Sequence, residues 1–107
     1  MQTVITAARL VVSDQIIEQP VVIFEDGVIT RIGSRSEVEI TTGHRLDFAD
    51  STLVPAYFDI HIHGSAGHDV MEATPEALLT IGKFLATRGV GAYLATTVTA
   101  PIDVTLR

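Results

Sequence analysis

A chain of 107 residues that is 47% hydrophobic and 19% charged has the size of one ordinary domain and the composition of a globular one. Its formal charge of −6, from 7 basic and 13 acidic side chains, argues against a nucleic-acid-binding or anionic-membrane surface. With no cysteine there is no disulfide framework, no thiolate metal site and no cysteine nucleophile, so any metal must be held by nitrogen and oxygen. The N-terminus lacks a basic start followed by a long apolar core, and no apolar run approaches the ~20 residues of a membrane span. The expectation is a cytoplasmic protein.

Residues 3–12 are rich in β-branched side chains and read as one strand or two short ones. Ser13-Asp14 is a turn signal, after which residues 15–19 can return as a short strand. Pro20 opens the next run, residues 21–25, at a place where a missing N–H is tolerable. Asp26-Gly27 then joins it to residues 28–32, and an Asp-Gly pair between two β-rich runs is a strong hairpin signal. Gly33 ends that strand, residues 34–42 are polar enough for a loop, and residues 44–48 alternate as a further strand. The first half therefore reads as several short strands, like part of a β-sandwich.

The character changes at Leu53. Residues 54–58 lead into Asp59-Ile60-His61-Ile62-His63-Gly64, where polar and apolar side chains alternate. In a strand this puts Asp59, His61 and His63 on one face, with Ile60 and Ile62 on the other. Two neutral imidazoles at a strand end can offer nitrogen to a zinc-like ion, although a plain pair of surface or hydrogen-bonded histidines has the same spelling. A small-residue loop, Gly64-Ser65-Ala66-Gly67, follows. Thr74-Pro75-Glu76 starts a helix, with Thr74 as cap, Pro75 in the first position and Glu76 favourable to the dipole. Leu78, Ile81 and Leu85 form its apolar stripe, with Phe84 beside them, and Arg88-Gly89 end it. Residues 92–98 form a second strand, and Pro101 can open another helix. Strand, helix, strand over residues 57–98 is a βαβ unit with two parallel strands. The histidines fall at the carboxyl end of its first strand, where α/β sheets and barrels place their active-site loops. One such unit cannot cover both faces of its own sheet, so the chain is expected to be the front end of a larger protein.

A β-rich start with an Asp26-Gly27 hairpin, then Leu53-Val54-Pro55, then Asp59-Ile60-His61-Ile62-His63-Gly64, resembles the amidohydrolase superfamily. Within it the chain is most similar to the N-acetylglucosamine-6-phosphate deacetylases, a likeness carried by residues 64–71 and 91–101. The resemblance implies an α/β architecture in which residues 1–53 belong to a small β-sandwich. Residues 54–107 are then the first strand-helix-strand of a metal-dependent (β/α)8 TIM barrel that this chain leaves incomplete. It implies a divalent metal, zinc in the first instance and one or two ions, held by His61 and His63. Asp59 would orient a ligand or the neighbouring backbone, and Gly64, Gly67 and His68 would belong to a substrate loop. The proton-relay aspartate and the remaining ligands are expected beyond residue 107, so no catalytic residue is assigned here and the chain alone is expected to be inactive. The implied reaction is hydrolysis of the acetamide of N-acetylglucosamine 6-phosphate to acetate and glucosamine 6-phosphate. Such an enzyme acts on a small molecule, with no nucleic-acid or membrane partner, as a homodimer at full length.

One departure is Ala56, where the family carries glycine. Two rival readings stay open. A dihydroorotase-like enzyme would place an arginine just after the histidine pair, and residues 64–67 hold none; an amino-acid deacetylase is the other enzymatic alternative. The non-enzymatic rival is a fragment that assembles with itself.

Overall fold

Residues 1–40 and 42–106 are described by a computed structural model, which divides into two units, Met1–Pro55 and Ala56–Arg107. The first contains β1 (Gln2–Val12), β2 (Gln15–Glu18), β3 (Pro20–Glu25), β4 (Val28–Ser34) and β5 (His44–Leu53). β1 is the strand on which the others are laid. Its first half pairs antiparallel with β3, from Gln2↔Glu25 to Thr6↔Val21, and its second half with β2, from Arg9↔Glu18 to Val12↔Gln15. β2 and β3 thus run end to end along one edge of β1. Between them Gln19 bends at φ 46 and donates its N–H to the Ala8 carbonyl at 2.8 Å. Pro20, which has no N–H to offer, sits at that break. Asp26 and Gly27, both at positive φ, make the two-residue turn that joins β3 to β4.

The sandwich expectation meets a simpler arrangement. β5 returns parallel to β1 on its free edge, from Thr3↔His44 to Leu10↔Leu53, and so widens the existing sheet to five strands. No second sheet is present among the described residues of this unit. One face carries the core of Val4, Val21 and Ile23, covered by Val38 with Ile40 beside it. Val38 reaches the sheet from a turn in which the amides of Glu37 and Val38 both donate to the Ser34 carbonyl at 3.0 Å. Gly33 makes room for it, since a Cβ there would lie 2.7 Å from Val38 Cγ2. The other face presents Ile5, Val22, Phe24, Ile29 and Ile32, which with Leu53 line an open apolar concavity.

The second unit contains β6 (Tyr57–Ile62), β7 (Gly64–Ser65), β8 (His68–Asp69), a 3-10 turn (Val70–Glu72), α1 (Pro75–Ala86), β9 (Val90–Ala95) and α2 (Ile102–Thr105). Thr74 caps α1, its hydroxyl accepting from the Ala77 amide at 3.2 Å, with Pro75 in the first turn. The buried stripe is Ala77, Ile81 and Leu85. Leu78, expected on it, is 37% exposed. Ala77 takes its place at i, i+4, i+8 spacing, and Tyr93 reaches back to donate its hydroxyl to the Leu78 carbonyl at 3.0 Å. The helix ends at Ala86 with Thr87 as C-cap, and Gly89 follows at φ 80.

β6 and β9 pair in parallel from Tyr57↔Val90 to Ile62↔Ala95. The βαβ unit is therefore present, and among the described residues it stands as two parallel strands and one covering helix, not as a closed barrel. The second strand runs from Val90 to Ala95, so Thr96 and Thr97, expected inside it, fall past its end. Ala56 and Gly91 are matched in size: a Cβ on Gly91 would lie 2.7 Å from the Ala56 methyl. The Ala56 backbone is not among the described positive-φ residues, so nothing there demands glycine. Gly91→Ala is expected to destabilise the chain by about 1–3 kcal/mol through overpacking. Adding Ala56→Gly should recover at least half of that loss, a coupling that urea denaturation of the two singles and the double would measure.

Candidate functional site

β6 delivers Asp59 and His61, and His63 is the first residue beyond its end. Alternation along the strand brings the two imidazoles together, with Nε2 of His61 3.1 Å from Nε2 of His63 and the rings edge-on at 84°. His63 is half-buried and anchored on its far side, where Nδ1 lies 3.0 Å from the Thr96 carbonyl oxygen. A carbonyl only accepts, so Nδ1 carries the proton. In the neutral form of the ring Nε2 is then bare, and the N–H in the contact between the two rings belongs to His61. Asp59 serves the same segment through the backbone, its Oδ1 accepting the His61 amide at 3.1 Å.

Thr96 holds the two strand ends together. Its amide and its hydroxyl both donate to the Ile62 carbonyl, at 3.0 and 2.7 Å, and the same hydroxyl lies 3.5 Å from His63 Nδ1. Thr96 and Thr97 read alike in the sequence as strand formers. The structure separates them, with Thr96 half-buried against the histidine and Thr97 exposed.

The small-residue loop after His63 is a hydrogen-bonded hairpin. The His63 carbonyl accepts from the Val70 amide at 2.7 Å, and inside that closure β7 and β8 pair as Gly64↔Asp69 and Ser65↔His68. Gly64 is required by close approach: a Cβ there would collide with the His68 carbonyl oxygen and lie 2.9 Å from Asp69 Cα. Gly67 is required by conformation, at φ 82 with open space around it. Its partner in the turn, Ala66, also sits at positive φ, 54, where an L side chain is strained. Ala66→Gly is expected to stabilise the chain by about 1 kcal/mol, read as a rise in thermal midpoint.

Asp69 and Glu72 form a reciprocal capping box on the 3-10 turn. Asp69 Oδ1 accepts from the Met71 amide and Glu72 Oε1 from the Asp69 amide, both at 2.7 Å. The other oxygen of Glu72 pairs with His68 Nδ1 at 3.1 Å. The Asp69 amide and then His68 hold the Glu72 carboxyl below its ordinary value of 4.5. A depressed carboxyl stabilises the fold above its unfolded pKa and loses that contribution as pH falls through its folded value. Protection factors at the Asp69 and Met71 amides, exchange rates taken relative to the intrinsic rate at each pH, should therefore fall on acidification below about pH 4.5, and Glu72→Gln should flatten that dependence.

Of the residues singled out from sequence, the structure brings His61 and His63 into contact and sets Asp59 behind His61. It ties His68 to Glu72 and uses Gly64 and Gly67 to shape the loop between. Among the described residues no group of three histidine, aspartate or glutamate side chains is gathered as a metal set. Thr96 and Glu72 were not anticipated. The Asp69-x-x-Glu72 spacing is a readable capping signature, whereas the role of Thr96 depends on a strand pairing 33 residues distant.

No protein-family model matches the chain. It is 42% identical over 84 residues to the N-acetylglucosamine-6-phosphate deacetylase of Vibrio furnissii, covering 73% of this chain and 21% of that protein. It is 37% identical over 104 residues to the N-acetylgalactosamine-6-phosphate deacetylase of Escherichia coli O157:H7, covering 96% of this chain and 26% of that one. Over these stretches the chain is similar to amino-sugar-phosphate deacetylases. It spans about a quarter of their length, consistent with an N-terminal portion. The same fold occurs in the N-acetyl-D-glucosamine-6-phosphate deacetylase of Mycobacterium smegmatis, solved in complex with N-acetyl-D-glucosamine-6-phosphate. That match has a TM-score of 0.85 at 19% identity, over 98% of this chain and 27% of that one.

Proposed function

We propose that this chain is the N-terminal portion of a metal-dependent amidohydrolase that removes the acetyl group from an N-acetyl amino-sugar 6-phosphate. The imidazole pair carries the reading. Two nitrogen ligands about 2.1 Å from one ion stand about 3.0–3.4 Å apart at angles between 90° and tetrahedral. The two Nε2 atoms, 3.1 Å apart, fall in that range, and His63 already turns a bare Nε2 toward its partner. His61 would meet an ion as the other neutral tautomer, its proton moved to Nδ1. When bound, a divalent ion such as zinc supplies a water with pKa near 7 and polarises an acyl oxygen, the two needs of amide hydrolysis.

In this reading residues 1–53 contribute to a β-sandwich and residues 54–107 open a (β/α)8 barrel, with His63 at the carboxyl end of barrel strand 1. A catalytic zinc ordinarily takes three protein ligands, so two histidines leave the set unfinished. The other ligands and the proton-relay aspartate would come from outside this chain, in a cytoplasmic homodimer. Asp59 holds the His61 backbone, and the loop of Gly64, Gly67 and His68 edges the substrate. The relatives include both gluco- and galacto-configured deacetylases, so the proposed substrate class is the N-acetylhexosamine 6-phosphates.

Two measurements test this. Zinc added to the metal-free chain should shift the ring resonances of His61 and His63 selectively, and His61→Ala or His63→Ala should each abolish the effect on the remaining ring. The 107-residue chain with zinc should release no amine from either sugar phosphate, whereas a longer protein containing it should hydrolyse them. Turnover by the chain alone would overturn the incomplete-site reading. A preference of the longer protein for a cyclic amide would move it to the dihydroorotase-like class.

A further inference from the structure

We infer that Thr96 is a positioning residue that fixes the tautomer of His63, an inference that rests on the reading of His61 and His63 as a metal-ligating pair. The Ile62 carbonyl already has a strand-end partner in the Thr96 amide at 3.0 Å, so the backbone is satisfied without the side chain. The hydroxyl adds a second and shorter bond to the same oxygen, at 2.7 Å. A second donor on a satisfied acceptor contributes little to backbone pairing, but it removes freedom from residue 96. The carbonyl of that residue is the group that accepts the His63 Nδ1 proton at 3.0 Å. Were His63 in the opposite tautomer, an unprotonated Nδ1 would face both that carbonyl and the nearby hydroxyl oxygen, and the proton would occupy the Nε2 needed for a metal. Strand propensity alone would be served as well by valine, which has the same shape and no hydroxyl. Ligand histidines generally depend on such a partner for their free ring N–H, and losing it typically costs 10–100-fold in metal affinity.

The test uses the chain labelled with nitrogen-15 at histidine, free of metal and at a pH where both rings are neutral. Ring nitrogen shifts should show His63 protonated at Nδ1 and His61 at Nε2. Thr96→Val should give a mixture of tautomers at His63 and weaken Zn²⁺ binding, measured by competition with a chromophoric chelator, about tenfold. Thr96→Ser, which keeps the hydroxyl, should restore both readouts. The inference is overturned if His63 is protonated at Nε2 in the unsubstituted chain, if valine changes neither readout, or if serine behaves as valine does. The tautomer of the unsubstituted chain needs no variant, so the first outcome stands even where Thr96→Val fails to fold. If the tautomers are as expected but Zn²⁺ does not bind, the positioning role stands and the metal reading falls.

Discussion

The parallel pairing of β6 with β9 is the constraint on which the second unit depends. Parallel strands finish at the same end, so the last carbonyl of one and the first residue past the other become neighbours. Here these are Ile62 and Thr96, and the two hydrogen bonds between them bring a carbonyl to His63. An antiparallel return would have put the start of the second strand there instead. The helix makes the parallel return possible, with Thr74 and Pro75 starting it, Ala77, Ile81 and Leu85 seating it, and Gly89 turning the chain into β9. Each local signal serves one outcome: two strand ends meet beside a pair of imidazoles.

The first unit rests on a different device. β1 is long enough to take two partners in sequence along one edge, and Gln19 with Pro20 divides them. With β5 on its other edge, β1 becomes an interior strand, and Val4 and Thr6 on it are buried. The Thr6 hydroxyl donates to Asp47 Oδ1 at 2.7 Å, linking β1 to β5 through side chains as well as backbone. Arg35 approaches the same oxygen at 3.6 Å, an exposed pairing of small energetic weight.

Much of this was legible in the sequence wherever a local rule governs. Asp26-Gly27, Thr74-Pro75, Pro20 and Gly89 act through their own backbone geometry and did what their chemistry requires. The alternation from Asp59 to His63 put both imidazoles on one side because strand period is intrinsic. Long-range pairing was not legible. Nothing in residues 44–53 specifies a parallel partner, so the place of β5 on the free edge of β1 cannot be read from them. The buried stripe of α1 runs through Ala77 and not Leu78, because which side of an apolar helix face is covered depends on neighbouring elements that the helix's own sequence does not encode. Thr96 was passed over for the same reason, since threonine near a strand end is unremarkable until the residue across from it is known.

The separation between His63 and Thr96 has a consequence for the order in which the chain organises itself. His61 and His63 are near neighbours in any conformation, but the group that orients His63 arrives only after 33 further residues have folded through α1 and into β9. Unfolded, the two rings sample both tautomers and every rotamer; folded, one ring is committed. Anything that favours the committed arrangement must favour the folded βαβ unit by the same free energy. The orientation of His63 and the pairing of the two strand ends are thus a single equilibrium, seen from its two ends.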